Sequence, residues 1–479
     1  MAKAATELTN DARKLWASFY ITCVGALLVT IDTTVVNVAL PTIRADLRLS
    51  DTGMIWVVDA YTLTYAGFLI LGGRLSDYFG GGRVFLAGIA VFGAASLGCG
   101  WATSPGILVG ARAIQGFGGA IVDATALSLV TQIFPDESAR AKAIGIIGFI
   151  NSIGATVGVL FGGAITGMMG WHWVFFINVP IGLLVYVLAM TWLPPISRSE
   201  RPERLDWAGA TTITLSVVLA IYSITTVSGA GWISWESLGG LGASTLALLL
   251  FFAIEERVSS PLVPPYLGRL RNVVIANVAT LFWSVALAAW LVIGTLYLQV
   301  TQGLTPSKVG VIFALANATS GISAIFLSSR LATQVGIKRS LVCSFLTVGF
   351  GLLLLGGFNT GGAALDALPG MLLVGFGAGM GFNSLLLSAT NDIPPKDAGI
   401  SSGIWCTSYL LGSALGVAIL TSAAASRHTH LADSMTNASD GYRTSFFLGA
   451  ASAVVGAGVV CYLIKPPLPS GSHSHRSNP

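Results

Sequence analysis

The sequence predicts an all-α polytopic membrane protein with fourteen membrane-spanning helices. The chain has 479 residues, of which 54% are hydrophobic and only 10% are charged. A soluble domain carries about 25% charged residues, so this chain has too few polar side chains to cover a globule. Its apolar residues form long unbroken runs of the length that a membrane helix needs, which is about 20 residues. An outer-membrane barrel would instead show alternating segments of ~10 residues.

Fourteen apolar segments meet the length requirement of a membrane helix. In chain order, the predicted spans are 15–41, 54–73, 84–103, 106–134, 143–168, 173–193, 207–227, 238–254, 273–299, 308–327, 340–358, 367–392, 399–422 and 444–464. The eighth span is the shortest, and the boundary between the fifth and sixth spans is the least distinct. None of the polar connectors between the spans is long enough to form a folded soluble domain.

The distribution of basic residues predicts the orientation of these spans. When both termini are placed in the cytoplasm, most of the 25 Lys and Arg residues fall in cytoplasmic segments. Cytoplasmic loops of membrane proteins carry such an excess of positive charge. We therefore expect a multi-pass protein of the cell membrane with an even number of spans and both termini in the cytoplasm.

The two ends of the chain resemble each other, which predicts an internal repeat. The stretch "GFGGA" at 116–120 matches "GFGAG" at 375–379, and "GATVGV" at 154–159 matches "GSALGV" at 412–417. "GRLSDYFG" and "SRLATQVG" form a third pair. The three pairs occur in the same order, and the two members of each pair are separated by nearly the same number of residues. We therefore expect two parallel six-helix bundles with two inserted helices between them. Parallel repeats of this kind place a solute site near the membrane midplane, between the halves.

The repeat divides the chain into four predicted segments. Residues 1–193 form an N-terminal six-helix bundle, and 194–272 form a linker with the inserted helices 7 and 8. Residues 273–464 form a C-terminal six-helix bundle. The remaining stretch, 465–479, is rich in Ser and Pro, which predicts a disordered cytoplasmic tail.

Five short stretches carry a resemblance to one family of transporters. They are "IDTTVVNVALPTI" at 31–43, "GGRLSDYFGGGRVF" at 72–85, "LVGARAIQGFGGA" at 108–120, "GATVGVLFGG" at 154–163 and "WHWVFFINVPIG" at 171–182. With them, nearly the whole chain resembles the fourteen-helix drug:proton antiporters of the major facilitator superfamily, in particular bacterial exporters of drugs and antibiotics. The resemblance implies the major facilitator fold and proton-driven export by alternating access.

The resemblance also implies gating or structural roles for motif residues, with Asp77 lying near Arg140. These residues are Gly73, Asp77, Gly80, Arg83, Arg140, Gly154, Gly158 and Gly162. The chain departs from the family pattern where Tyr78, Gly81 and Gly82 replace basic residues, and where Val159 replaces a proline. Without that proline, the fifth-helix motif carries less information about the direction of transport.

Ionisable residues inside the N-terminal spans are the candidates for proton coupling. They are Asp32, Asp59, Arg112 and Asp123. A charge at the bilayer centre costs ~2.5–3.5 kcal/mol on insertion scales, so such residues usually face a cavity or a partner. We expect the first three to share a water-filled pocket on the outer side of the midplane. Asp123 lies about three turns after Arg112 on the same helix face, in the inner half. It is predicted as a second proton site or an anchor for a cation; the alternative for all four is helix packing through hydrogen bonds.

Polar and aromatic residues at membrane depth are the candidates for contacts with the cargo. They are Asn37, Tyr61, Gln115, Asp123, Trp283 and Trp405. Aromatic faces attract cations, which favours flat cationic compounds. Aromatic belts at the membrane surface and ordinary packing are the alternative explanation for the aromatic residues.

The chain lacks the motifs of ATP-driven pumps and of zinc metalloproteases. It contains no G-x-x-x-x-G-K-[ST] and no H-E-x-x-H. Its His and Cys residues form no cluster typical of a metal site. We therefore expect no enzymatic activity, no metal and no cofactor, with the proton gradient as the energy source.

The sequence thus predicts a proton-coupled antiporter that exports an amphipathic, cationic drug or antibiotic. Its expected partners are this small molecule, protons and the lipid bilayer, with no nucleic acid, and the expected active form is a monomer. One alternative is a proton-coupled transporter of a specific physiological solute, such as a metabolite, siderophore or lipid. Another is an integral-membrane enzyme or receptor. Buried acids favour cationic cargo, whereas Arg112 would suit an anion.

Overall fold

The structure, a computed structural model, describes residues 2–134, 136–193, 206–258, 260–304, 306–357, 364–390, 393–425 and 434–463. Over these ranges the chain forms helices and no β-strand. Fourteen of the helices are long and apolar enough to cross a membrane, which confirms the predicted count. The predicted tail at 465–479 and nearly all of the connector at 194–206 lie outside the described residues.

The fourteen membrane helices are numbered here in chain order. Helices 1 to 14 cover Lys14–Leu47, Gly53–Phe79, Gly81–Gly100, Pro105–Ile133, Lys142–Met169, His172–Trp192, Trp207–Val227, Trp235–Glu255, Arg271–Thr301, Lys308–Ser328, Ile337–Gly357, Leu368–Thr390, Ala398–Ala424 and Asp440–Tyr462. Short 3-10 helices occur at Leu267–Arg269, Ala364–Ala367 and Pro395–Asp397. We call the side on which odd-numbered helices begin the terminal side, since helix 1 begins and helix 14 ends there.

Several helices extend beyond the apolar runs that predict them. Helix 1 continues to Leu47 and helix 2 to Phe79, because the polar last turns of both helices keep their helical hydrogen bonds. The predicted boundary between helices 5 and 6 is confirmed. It lies at Gly170, whose φ of +92° is a backbone conformation that glycine adopts without steric cost.

Equivalent glycines make equivalent contacts in the two six-helix bundles. A Cβ atom at Gly116 would meet the carbonyl of Tyr61 in helix 2, and one at Gly375 would meet the carbonyl of Ala316 in helix 10. The pairs 4–2 and 12–10 therefore approach each other in the same way. Small residues permit such close helix contacts in a membrane. The repeat that was read from the sequence is thus a repeat of packing.

A second equivalent pair joins helix 5 to helix 1 and helix 13 to helix 9. A Cβ atom at Gly158 would lie 3.0 Å from the carbonyl oxygen of Ile31. A Cβ atom at Gly416 would lie 2.8 Å from the Cα atom of Val285. Gly158 therefore holds helix 5 against the segment of helix 1 that carries Asp32.

The inserted helices lie beside both bundles. In helix 7, the Thr214 hydroxyl donates to the carbonyl oxygen of Gly67 in helix 2 at 3.0 Å. Further along helix 7, Ile224 packs with Ala418 of helix 13 in one buried apolar cluster. Helix 8 packs on helix 7 and is the least buried of the fourteen helices. Helix 7 is therefore a packing element shared by the two halves.

Candidate functional site

A buried ion pair joins helix 1 to helix 4. Arg112 Nη1 donates to Asp32 Oδ2 at 2.7 Å. Asp32 is 1% exposed and Arg112 is 2% exposed. The pair is therefore enclosed in the N-terminal bundle, and the water-filled pocket expected around these two residues is not present in this conformation.

Amide side chains complete the coordination of the Asp32 carboxylate. Its Oδ1 accepts from Gln115 Nε2 at 2.9 Å and from Asn178 Nδ2 at 2.7 Å. The same Gln115 nitrogen also lies 2.8 Å from Ser96 Oγ, and Arg112 Nη1 donates to Gln115 Oε1 at 2.7 Å. Helices 1, 4 and 6 thus meet at one carboxylate, and helix 3 is joined to it through Ser96 and Gln115. Buried charges persist when they are paired and hydrogen-bonded in this way.

Two tyrosines one helical turn apart connect this ion pair to Asp123. The Arg112 guanidinium lies 4.1 Å from the centre of the Tyr61 ring. The Tyr61 ring stacks on Tyr65 with centroids 5.7 Å apart and an interplanar angle of 11°. The Tyr65 hydroxyl donates to Asp123 Oδ2 at 2.7 Å. A continuous series of contacts therefore runs from Asp32 to Asp123, which the sequence places on helices 1 and 4.

Asp123 lines a cavity of about 140 Å³ between the two bundles. Its walls come from helices 1, 2, 4 and 5 on one side and from helices 12 and 13 on the other. Sites for drug-sized ligands occupy about 300–1,000 Å³, so the cavity must widen to enclose such a compound. This position, between the halves of a parallel repeat, is the one that the sequence predicts for a solute site.

The lining of the cavity is mostly apolar and aromatic, with Thr22 and Asn151 as neutral polar residues. Among the described residues of the lining, Asp123 is the only Asp or Glu side chain and none is Lys, Arg or His. From the C-terminal bundle, Trp405 meets Phe382 edge to face at 5.1 Å and stacks on Tyr409 at 6.2 Å. A negative group beside aromatic faces suits a cation. Arg112 is withheld from the cavity by its contacts with Asp32.

The structure brings together only some of the residues predicted for this site. Of the predicted cargo contacts, Asp123 and Trp405 line the cavity, whereas Tyr61 and Gln115 belong to the surroundings of the ion pair. The other two lie elsewhere: Trp283 packs against Phe345 in the C-terminal bundle, and Asn37 is exposed on helix 1.

Asp59 does not join Asp32 and Arg112 as expected. No ion pair or hydrogen bond of Asp59 occurs among the described residues. The reason is the orientation of helix 2, which turns the carbonyl of Val57, two residues earlier, toward Arg112. Arg112 Nε donates to this carbonyl oxygen at 3.3 Å.

Two residues with a structural part in the site were not predicted. Asn178 binds Asp32, and Phe382 packs on Trp405. Asn178 carries a usable signal, because it is a polar residue inside an apolar span and lies in the stretch "WHWVFFINVPIG". No signal of this kind marks Phe382, since it is an ordinary aromatic residue of a membrane helix.

The two bundles touch on the terminal side through helices 2 and 13. The Asp77 carboxylate accepts from the backbone amides of Gly399 and Ile400, each at 2.9 Å. These amides belong to the first turn of helix 13, where unpaired N–H groups attract an anion. A Cβ atom at Gly73 would overlap the carbonyl of Gly399. Asp77 therefore binds helix 13 and not Arg140, which corrects the expected pairing.

A chain segment between helices 8 and 9 covers this contact. Arg74 Nη1 lies 3.3 Å from Asp397 Oδ1, and Arg74 Nη2 donates to the carbonyl oxygen of Pro261 at 3.1 Å. The Tyr266 hydroxyl donates to Asp397 Oδ2 at 2.7 Å. Burial and this hydrogen bond raise the pKa of Tyr266, so the phenol stays protonated and remains a donor.

The remaining motif residues occupy structural positions. Gly80, with φ +87°, forms the turn between helices 2 and 3. Arg83 is exposed at the start of helix 3. Gly154 and Gly162 face helix 1 on the same side of helix 5 as Gly158. In the described part of the chain, no group of three His, Cys, Asp or Glu residues is arranged to hold a metal ion.

Comparison with known proteins places the chain among membrane transporters. The sequence profile of the Major Facilitator Superfamily matches residues 22–417 and, in an overlapping match, 278–478. The puromycin resistance protein pur8 of Streptomyces alboniger is 33% identical over 431 residues, which cover 89% of this chain and 85% of that protein. The cephamycin export protein CmcT of Amycolatopsis lactamdurans is 34% identical over 423 residues, which cover 87% of this chain and 86% of that protein.

A solved structure has the same fold despite low identity. The human organic anion transporter MFSD10 (TETRAN) matches with a TM-score of 0.69 at 15% sequence identity. The match covers 93% of this chain and 99% of that chain. Likeness at this level of identity concerns the arrangement of the helices and not the cargo.

Proposed function

The chain belongs to the Major Facilitator Superfamily, and on this basis we propose that it is a proton-coupled antiporter that exports amphipathic cationic drugs or antibiotics. Family membership and fourteen membrane helices make it a multi-pass transporter of the plasma membrane and not an enzyme. The relatives named for puromycin resistance and cephamycin export support a drug or antibiotic as the cargo.

The negative charge of Asp123 in the cavity is the observation that supports a cationic cargo. Asp123 supplies a carboxylate at the interface of the bundles, beside the aromatic rings of Tyr65 and Trp405. Arg112, the residue that would suit an anion, is enclosed with Asp32 at 2% exposure. A desolvated carboxylate attracts a cation more strongly than an exposed one does, because the surroundings screen the charge less.

Proton coupling is proposed to act through the contacts that join Asp32 to Asp123. Protonation of Asp32 removes the negative charge that holds Arg112. Arg112 then shifts relative to the Tyr61 ring, which moves the stacked Tyr65 and its hydrogen bond to Asp123. The cation bound at Asp123 is thereby released. The proton gradient drives this cycle, and no cofactor takes part.

Alternating access is proposed to use the contact between helices 2 and 13. With Asp77 bound to the amides of helix 13, the terminal side of the cavity is closed. Rocking of the bundles would break these bonds and open the cavity to that side. We place the terminal side in the cytoplasm on the basis of the loop charges, so cargo would enter there and leave on the opposite side.

Transport by the purified protein in proteoliposomes tests the proposal. Under an imposed pH gradient, the native protein should move a fluorescent lipophilic cation such as ethidium against its concentration gradient. Asp32→Asn should allow equilibration but no accumulation. Asp440→Asn is the matched control, since Asp440 is an exposed carboxylate on helix 14 and should leave pumping unchanged.

Two results would contradict this proposal. Equal accumulation by the native protein and Asp32→Asn would remove Asp32 from the coupling step. Absence of dye transport at every pH would reject the multidrug function and favour a transporter of one physiological solute.

A further inference from the structure

We propose that the central cavity recognises its ligand at two points, and that the ligand is a cation that also carries a hydrogen-bond acceptor. This inference rests on the proposed function and specifies the cargo of the same site. Asp123 binds the cationic end, and the indole N–H of Trp405 binds the acceptor. The two side chains belong to different bundles, so a ligand that satisfies both connects the two halves.

The Asp123 carboxylate has one oxygen available. Tyr65 donates to Oδ2, whereas no described residue donates to Oδ1. Asp123 is partly exposed, unlike the enclosed Asp32. Among the described residues, no basic side chain lines the cavity to neutralise it. A protonated amine can therefore bind Oδ1 while Tyr65 continues to orient the carboxylate.

The Trp405 indole has an unused donor. Trp405 is 2% exposed, and its Nε1 has no hydrogen-bond partner among the described residues. A buried indole N–H usually finds an acceptor, because leaving a buried donor unsatisfied costs about 1–3 kcal/mol. Trp405 is part of the cavity lining, so a ligand that widens the cavity as far as the buried Nε1 can supply the missing acceptor.

The surroundings of Trp405 hold its ring in place. Phe382 meets the ring edge to face at 88°, and Tyr409, one turn further along helix 13, stacks on it at 25°. Contacts on two sides restrict rotation of the indole. The donor is therefore preorganised, and a ligand acceptor gains the hydrogen bond without having to order the side chain.

Calorimetric binding of two matched amines to the purified full-length protein in detergent tests this inference. One probe is N,N-dimethyl-4-phenylbutylamine, a cation without an acceptor. The other is its analogue with a ketone beside the phenyl ring. The native protein should bind the ketone about tenfold more tightly, as one additional hydrogen bond of ~1.4 kcal/mol implies.

Substitutions at the two points separate their contributions. Trp405→Phe keeps an aromatic ring and removes the N–H, so it should abolish the preference for the ketone and leave the affinity for the plain amine nearly unchanged. Asp123→Asn should weaken the binding of both probes. Trp283→Phe is the matched control, because Trp283 is also buried with an unpartnered Nε1 but lies outside the cavity lining. Thermal unfolding of each variant confirms that it is folded.

The outcomes distinguish this inference from the proposed function. Equal affinity of the native protein for both amines, or a preference that survives Trp405→Phe, would overturn the two-point site and leave cation export intact. Failure of the native protein to bind either amine would overturn both. Loss of the ketone preference in Trp405→Phe, with the preference retained in Trp283→Phe, would support the inference.

Discussion

The Tyr65 hydroxyl donates to the Asp123 carboxylate at 2.7 Å while the Tyr65 ring stacks on Tyr61. The Tyr65 side chain thus contacts both Asp123, which faces the cavity, and the Tyr61 ring, which lies over the Arg112 guanidinium. Asp123 and Arg112 are about 16 Å apart along the axis of helix 4, too far for direct contact. The two tyrosines are the contact path between the cavity and the ion pair.

Tyr65→Phe should weaken cation binding and preserve the fold. The substitution keeps the stacked ring but removes the donor that stabilises the charged carboxylate of Asp123. A hydrogen bond to a charged group is worth about 1.5–3 kcal/mol, so a loss of affinity of roughly tenfold or more is expected. Fluorescence titration with a lipophilic cation measures it. Tyr61→Phe is the control, because the Tyr61 hydroxyl has no partner among the described residues; an equal loss in that variant would argue against a role for the hydrogen bond.

Arg112→Ala should destabilise the folded protein more than Asp32→Asn does. The alanine variant leaves the Asp32 carboxylate buried without its ion-pair partner, which costs about 3–5 kcal/mol. Asp32→Asn also leaves the buried Arg112 guanidinium without its counter-ion, but Arg112 keeps Gln115 Oε1, the carbonyl oxygen of Val57 and the Tyr61 ring as partners. Asn at position 32 can still accept from Asn178. Thermal unfolding in detergent compares the variants, and adding Asp32→Asn to Arg112→Ala should recover part of the loss. No recovery in the double variant would indicate that the charges do not interact energetically.

Gly73→Ala should open the cavity on the terminal side. The added methyl group would overlap the carbonyl of Gly399, so helices 2 and 13 would have to separate. Cys406 lines the cavity and can report the opening through its rate of reaction with a membrane-impermeant maleimide, in a chain whose other cysteines are replaced. We expect a several-fold faster reaction from the terminal side. Gly110→Ala is the control, since a Cβ atom at Gly110 would meet nothing within 4 Å; similar rates in both variants would count against the closed contact.

Cation binding should weaken as the pH falls. A proton and a cation compete for the Asp123 carboxylate, so affinity should fall by up to about tenfold per pH unit once the carboxyl group is mostly protonated. The other titratable groups in the cavity lining are Cys23, Tyr65, Cys406 and Tyr409, all neutral in their acid forms. Titrations between pH 5 and 8 measure the dependence. Asp123→Asn should bind weakly at every pH, and a pH dependence unchanged in that variant would assign the competing proton to another residue.

The sequence by itself determined the membrane architecture. Span number and repeat follow from local patterns, because the bilayer thickness sets the length of each helix and the glycines mark its close contacts. The intramembrane acids were visible for the same reason, since Asp32 and Asp123 interrupt apolar runs. A charge in such a run needs a partner or a cavity. In the structure, Asp32 is paired with Arg112, and Asp123 lines the cavity.

Only the tertiary structure decided which side chains meet. Asp32 and Asn178 are 146 residues apart, and their hydrogen bond depends on how helices 1 and 6 are rotated and tilted. The rotation of helix 2 likewise directs the carbonyl of Val57, and not Asp59, toward Arg112. Packing between helices also places helix 7 against both bundles. Hydropathy indicates how deep a residue lies in the membrane but not the direction in which its side chain faces. The reason is that rotating a helix about its own axis leaves the depth of each residue almost unchanged. Packing between helices selects one rotation, and that selection assembled the cavity around Asp123.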